Sequence, residues 1–283
     1  MFFKFVSGNN LSSALNTGNL YYKNNRVPII NYIYENINNN IYNNMYNNMS
    51  NVIYEYEKLI DNIDNKYIIA LKFSSFNFNE KYIDYFVNKC FSKKIKCIID
   101  AEDNNNINKY RNIINKLIYK YNKDDITIIK TYQMYRKDSM NELIDDINFL
   151  SQKRYLATKL VRGAYYNNEK NLGHLYNEKK DTDNNYNNAI YKLHNKFLNY
   201  NIIATHNMKS IEITKNINDS INKMDNNNNK FIVANLMGMN EKYMQNLNMN
   251  KGIYIPYGPY RYMLPYLTRR LYENMDQYKY IYK

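Results

Sequence analysis

With 283 residues, 45% of them hydrophobic, the chain can bury a real core, and no run approaches the about 18 uninterrupted apolar residues of an ordinary transmembrane helix. The net charge of +13 would suit an anionic partner. However, the lysines are scattered, and 55 Asn against 7 Gly, with Lys, Ile and Tyr also enriched, read as A/T-rich codon usage, so no nucleic-acid surface is expected.

The opening MFFKFVSGNN has too short an apolar run for a secretory signal and lacks the Arg-rich look of a transit peptide. Apolar runs then recur along the chain: Val27–Tyr34, Tyr67–Phe73, Ile95–Ala101, Ile126–Tyr132, Tyr155–Tyr165, Ile202–His206, Phe231–Met237 and Ile253–Tyr257. Most are continuous rather than alternating, as in strands buried on both faces of a parallel sheet. Asn-rich stretches, Asn36–Asn51 and Asp225–Asn229, fall between runs, where surface loops or poor helix starts are tolerated. Cys90 and Cys97, the two cysteines, supply neither a disulfide framework nor a four-thiolate site, so a reduced, intracellular protein is expected. The clearest helix is Ser139–Leu150, with Ser139 and Glu142 as a capping box and Met140, Leu143, Ile144, Ile147 and Leu150 on one face. Eight strand–helix units over this length predict an α/β fold, a (β/α)8 barrel of TIM type, as a single domain over residues 1–283.

Glycine and proline are scarce, so their clusters mark backbone needs: Gly163, Gly238 and Gly258 each end an apolar run. In such barrels reactive groups gather at the carboxyl ends of strands. Polar residues do stand there: Glu35, Lys72, Asp100, Gln133, Lys159, Arg162, Thr205, His206 and Tyr254. Internal salt bridges are the plain alternative, because charged groups in apolar runs must be paired or used. The final segment, Pro265–Asn274, reads as a helix with Pro265 in its first turn and Tyr266, Arg270 and Glu273 on one face. Arg269 and Arg270 form a pair suited to a carboxylate or phosphate, though an isolated pair would more readily be a solvated basic face. There is no G-x-G-x-x-G, no G-K-[ST], no H-E-x-x-H and no C-x-x-C, and His174, His194 and His206 have no metal-triad spacing, so no metal is expected.

The segments FVSG (5–8), ALKFSS (70–75), IDAE (99–102), TYQMY (131–135), KLVRGAYY (159–166), ATHN (204–207), LMGM (236–239), YIPYG (254–258) and PYLTRRLYEN (265–274), in that order, resemble proline dehydrogenase across nearly the whole chain. The resemblance implies a distorted (β/α)8 barrel with its last helix over the barrel mouth. It also implies non-covalent FAD, oxidation of L-proline to Δ1-pyrroline-5-carboxylate on the way to glutamate, and electron transfer to a membrane quinone, with peripheral membrane association as an expectation. Carried over by position, Arg269 and Arg270 grip the substrate carboxylate; Lys72, Tyr165 and Tyr254 line the pocket, with Tyr266 beside it and Glu35 paired to Arg269. Asp100 and Lys159 would be the catalytic pair, Asp100 near substrate and Lys159 near the reactive flavin nitrogen. Cofactor contacts would be Ala101, Gln133, Lys159, Val161, Arg162, Gly163, Ala164, Thr182, Thr205, His206, Asn207, Arg270 and Glu273, with Gly163 letting backbone approach the cofactor.

Asn31, where many relatives have Asp, and Asn235, where Gln is common, depart from the family pattern. No aldehyde dehydrogenase module is present, so the monofunctional form is expected. A methylenetetrahydrofolate reductase-like barrel lacks the Arg pair followed by Glu; an inactive FAD-binding scaffold is the other alternative. Relatives place the protein in mitochondria, at the inner membrane, if the source is eukaryotic, and in the cytoplasm otherwise.

Overall fold

Each apolar run becomes a strand: β1 Arg26–Tyr32, β2 Ile68–Leu71, β3 Lys96–Ile99, β4 Ile128–Gln133, β5 Ala157–Val161, β6 Tyr200–Ala204, β7 Lys230–Leu236 and β8 Lys251–Tyr257. The computed structural model describes residues 2–34, 42–195, 200–223 and 230–273, with side chains described except at 2–3, 42–48, 195, 222–223, 230 and 269–273. Helices alternate with the strands: α1 Leu11–Lys23, α2 Tyr42–Asp61, α3 Glu80–Ser92, α4 Ile107–Tyr121, α5 Ser139–Phe149, α6 Tyr166–Glu169, α7 Lys179–Asn195, α8 Met208–Lys223, α9 Glu241–Asn246 and α10 Tyr260–Glu273. The strands close in chain order, β1 to β8, into a barrel, and the pairs β1–β2, β4–β5, β5–β6 and β6–β7 are parallel. All of β2 and β4 is buried; β2 reads as a continuous apolar run, while β4 also buries Lys130, Thr131 and Gln133.

Boundaries moved where loops claim the backbone. β5 begins at Ala157 rather than Tyr155, because the Tyr155 amide donates to the Asn122 carbonyl. It ends at Val161 rather than Tyr165: the Val161 carbonyl accepts from the Met134 amide in the last rung with β4, and the chain then turns at Gly163, φ +150°. Part of the Asn-rich stretch is helical, since α2 starts at Tyr42; Asp225–Asn229 lies outside the described residues.

Two compact units share the barrel. The first comprises Met1–Cys97, Asn235–Leu247 and Gly252–Lys283. In it Arg26, 2% exposed, donates to Glu241 (2.5 Å) and Asn235 (2.5 Å), while the Asn235 amide donates to the Met239 carbonyl. Asn235 therefore serves as both acceptor and donor, and its departure from Gln leaves the turn tied. Gly238, at φ +81°, completes that turn; a Cβ there would strike the Lys4 carbonyl, so any other residue is both strained and crowded. Asn31 is buried, and its Oδ1 accepts no hydrogen bond among the described residues. Cys90 and Cys97 are free and buried; the Cys90 contact, then burial, pushes the Cys97 thiol up.

The last helix differs from expectation. It starts at Tyr260, not Pro265, because the Pro259 carbonyl accepts from the Tyr262 and Met263 amides and opens the first turn earlier. Pro265 thus lies inside α10, where its missing amide removes one helical bond. Packing compensates: Tyr262, Met263, Tyr266 and Leu267 join Phe5, Val6, Ile33 and Met239 in one apolar cluster.

The second unit comprises Ile98–Ala234 and Asn248–Lys251. Its α5 covers the expected helix, but the capping box does not form. Ser139 is already inside the helix and its hydroxyl donates to the Arg136 carbonyl (2.8 Å). Glu142 turns instead to Arg111 (2.7 Å) and Lys130 (2.9 Å). A buried ammonium needs a carboxylate more than a helix end does.

Candidate active site

The second unit brings the carboxyl ends of β3, β4 and β5 together through polar bonds. The Lys159 ammonium donates to Asp100 at 2.6 Å, and both residues are buried. Thr131 pairs in register with Lys159, which fixes how β4 and β5 meet beneath that pair. The Tyr165 hydroxyl donates to the Ala101 carbonyl (3.4 Å), and Gln133 donates to the Glu102 carbonyl (2.9 Å). Asp100, Ala101, Gln133, Lys159 and Tyr165 thus form one connected group.

A second group surrounds Arg162. Its Nε donates to Asp183 (2.6 Å), Nη1 to the Thr205 hydroxyl (2.7 Å) and Nη2 to the Ser210 hydroxyl (3.1 Å), with the guanidinium 4.4 Å over the Tyr186 ring. Thr205 also accepts from the Asn207 amide (3.0 Å), and Asn207 caps α8 by accepting from Ser210 (3.2 Å). Arg162, a hydroxyl pair and the positive end of α8 converge, which is the chemistry that holds an anionic diphosphate. Val161, Ala164 and His206 are half-buried beside these residues in sequence. Thr182 stands in the first turn of α7, next to Asp183, without a described bond to Arg162.

Burial raises the Asp183 carboxyl, but Lys179 and Arg162, by hydrogen bond and charge, outweigh it and hold the group below its ordinary 3.8. Since the folded-state value is depressed, Asp183 stabilises the fold fully above the unfolded value and loses that contribution as pH falls through the folded one. The stability gap between wild type and Asp183→Asn, read from urea midpoints, is therefore expected to shrink as pH drops below 3.8. A gap independent of pH would show that the pair carries no linkage.

Gly163 has φ +150°, as its place at the end of a run suggested. The Tyr135 ring occupies the space where a Cβ would stand. Any side chain at Gly163 would displace Tyr135.

In the first unit Lys72 follows β2 directly and opens a short 3-10 turn, Phe73–Phe76. Tyr254 lies in β8, where its carbonyl accepts from the Met237 amide (2.9 Å). Tyr266 is 2% exposed in the α10 cluster. Glu35 lies outside the described residues, as do the side chains of Arg269, Arg270 and Glu273, whose backbone continues α10.

Sequence reading missed Asp183, Ser210, Tyr135 and Glu169, all bonded to the two groups or their loops. Lys179 and Asp183 at i, i+4 would be read as a solvated helix pair; the reach to Arg162 exists only after α7 packs.

The proline dehydrogenase family profile matches residues 21–281. The chain is 30% identical over 211 residues to "Proline dehydrogenase 1, mitochondrial" of Dictyostelium discoideum, covering 68% of this chain and 36% of that protein. It is 28% identical over 226 residues to "Probable proline dehydrogenase, mitochondrial" of Schizosaccharomyces pombe, covering 69% and 46%. Among solved structures, proline utilization A (PutA) from Bdellovibrio bacteriovorus inactivated by N-propargylglycine superposes with a TM-score of 0.85. That match covers 96% of this chain and 32% of the other at 16% identity, which speaks for the fold. The chain spans about a third to a half of the length of these curated relatives. The match over 21–281, with the barrel and the order of its polar strand ends, assigns the chain to the proline dehydrogenase family.

Proposed function

We propose that residues 1–283 act as one catalytic barrel domain of an FAD-dependent enzyme that oxidises L-proline to Δ1-pyrroline-5-carboxylate. The observation that carries this reading is the buried Lys159–Asp100 pair at the strand ends, with Tyr165 and Gln133 bonded around it. Buried charges of this kind cost stability unless they are paired or used, and their place at the carboxyl ends favours use.

The Arg162 group fits the cofactor. Its cation, the Thr205 hydroxyl and the capped start of α8 would hold the FAD diphosphate non-covalently. Val161, Gly163, Ala164, Thr182, His206, Asn207 and Glu273 are proposed as further contacts, and Ala101, Gln133 and Lys159 as those at the ring. Bound there, FAD supplies the two-electron acceptor.

The chain's own residues have the remaining work. Oxidation removes a C–H bond beside the proline nitrogen and leaves a C=N bond, so the nitrogen must enter as a neutral amine with its lone pair free. No strong nucleophile is required; orientation is. Arg269 and Arg270 are proposed to hold the carboxylate, Lys72, Tyr165, Tyr254 and Tyr266 to shape the ring's contacts, and Glu35 to pair with Arg269. Asp100 keeps Lys159 oriented, and the Lys159 cation favours charge gained at the acceptor.

Electrons would pass to a quinone. Peripheral contact with the quinone pool is part of this proposal; among the described residues no helix is long and apolar enough to cross a membrane. A mitochondrial location is proposed for a eukaryotic source, in keeping with the names of the matched relatives.

The purified protein is expected to be yellow, to bleach on adding proline, and to release all its flavin on denaturation. Its kcat/KM for proline should rise through the neutral-to-alkaline range as the deprotonated amine is captured. A colourless protein that FAD cannot reconstitute would sink the reading, and a flat pH profile would remove the neutral-amine step.

A further inference from the structure

One buried carboxylate ties three loops of the second unit together. Glu169, the last residue of α6, is 2% exposed. Its Oε1 accepts from the Asn104 amide at 2.6 Å, beyond β3. Its Oε2 accepts from the Tyr135 hydroxyl at 2.9 Å, beyond β4, and lies 3.7 Å from Arg136 and 3.8 Å from His174. Its own amide donates to the Tyr165 carbonyl at 3.1 Å, so the tie ends one helical turn from Tyr165.

The three loops carry Asp100 and Ala101, Gln133, and Tyr165. Contacts between these loops all depend on their register: Tyr165 on the Ala101 carbonyl, Gln133 on the Glu102 carbonyl, and the Tyr135 ring against Gly163. Chain beyond α6 folds back over the same ground, with Tyr176 donating to the Tyr135 carbonyl and Lys137 to the His174 carbonyl, both at 2.9 Å. Arg136 reinforces the joint by donating to Asn104 (3.2 Å) and Asp138 (3.0 Å). A neutral side chain could not accept from an amide and a phenol on separate oxygens while offsetting a nearby guanidinium.

We propose that Glu169 is a positioning residue for proline binding: by locking the loops after β3, β4 and β5 in register, it sets where Tyr165 meets the substrate. This rests on the reading of the chain as a proline-oxidising enzyme. Displacement of a contact group by about 1 Å can cost on the order of 100-fold, and a loosened loop is expected to lose part of that.

The test compares wild type, Glu169→Ala, Glu169→Asp and Tyr135→Phe as flavin-loaded proteins. Arg26→Met, in the first unit where Arg26 is buried against Glu241 and Asn235, serves as a destabilised control. Readouts are proline KM and kcat, the dissociation constant of a non-reacting proline analogue from the flavin spectrum, and Tm. Glu169→Ala is expected to raise KM and the analogue constant together by roughly 10- to 100-fold, with kcat within about threefold, since lost ground-state binding appears in KM. Glu169→Asp should recover most of the loss, Tyr135→Phe should show a smaller rise of the same kind, and the control should lower Tm without moving KM. If Glu169→Ala does not fold, the Tyr135→Phe rise decides the matter. Unchanged KM and analogue binding in Tyr135→Phe, or an equal rise in the control, would overturn the positioning role. Wild type that fails to bleach with proline would instead overturn the parent reading.

Discussion

Arg270→Met or Arg269→Met is expected to raise the KM for proline by roughly 30- to several-thousand-fold. Unpairing one partner of a desolvated, bidentate charge pair costs about 2–5 kcal/mol. A substrate as small as proline offers one carboxylate, one amine and an apolar ring, so its carboxylate must carry much of the orientation. Guanidinium groups suit that work because their planar fork matches the two carboxylate oxygens. α10 supplies the scaffold: Tyr262, Met263, Tyr266 and Leu267 are anchored against Phe5, Val6, Ile33 and Met239, and Arg270 follows one turn beyond Tyr266. Steady-state kinetics with proline, and equilibrium binding of a non-reacting analogue, both report the effect. Wild-type kinetics in both variants would mean that the Arg pair is a solvated face.

Lys130→Met is expected to destabilise the fold by about 3–5 kcal/mol, the cost of leaving a buried partner charge uncompensated. Lys130 is fully buried, with its ammonium 2.5 Å from Asp146, 2.9 Å from Glu142 and 3.0 Å from the Asn115 side-chain carbonyl. Methionine fills similar volume but supplies no charge. Glu142 keeps Arg111 at 2.7 Å, whereas Asp146 keeps only the Tyr132 hydroxyl at 2.8 Å among the bonds described for it. Asp146 is therefore where the penalty falls. The double substitution Lys130→Met with Asp146→Leu should recover much of the loss, because both charges leave together. Urea unfolding followed by far-UV circular dichroism measures both. A loss below about 1 kcal/mol in the single variant would show that water reaches the pair.

The strands were legible because a barrel strand, covered by neighbours inside and helices outside, leaves an unbroken apolar run. The run Ile68–Leu71 carries that mark in its composition alone, whereas β4 interrupts it with buried Lys130, Thr131 and Gln133. The order of polar residues at the strand ends was equally readable, since each stands directly after its run. Ser139 and Pro265 were misread for one reason: a local pattern states what a residue can do, and competition decides what it does. Glu142 could cap α5, but a buried Lys130 claimed it. Pro265 could start a helix, but Pro259 had already opened one.

The partnerships of the site belong to the tertiary structure. Glu169 meets Asn104 across 65 residues, Arg26 meets Glu241 across 215, and Arg162 meets Asp183 across 21. None leaves a periodic trace, because a charge pair needs proximity rather than spacing along the chain. Composition and pattern determined the barrel and the polar strand ends. Packing decided which carboxylate faces which cation, because the energy of a buried charge depends on its neighbours in space.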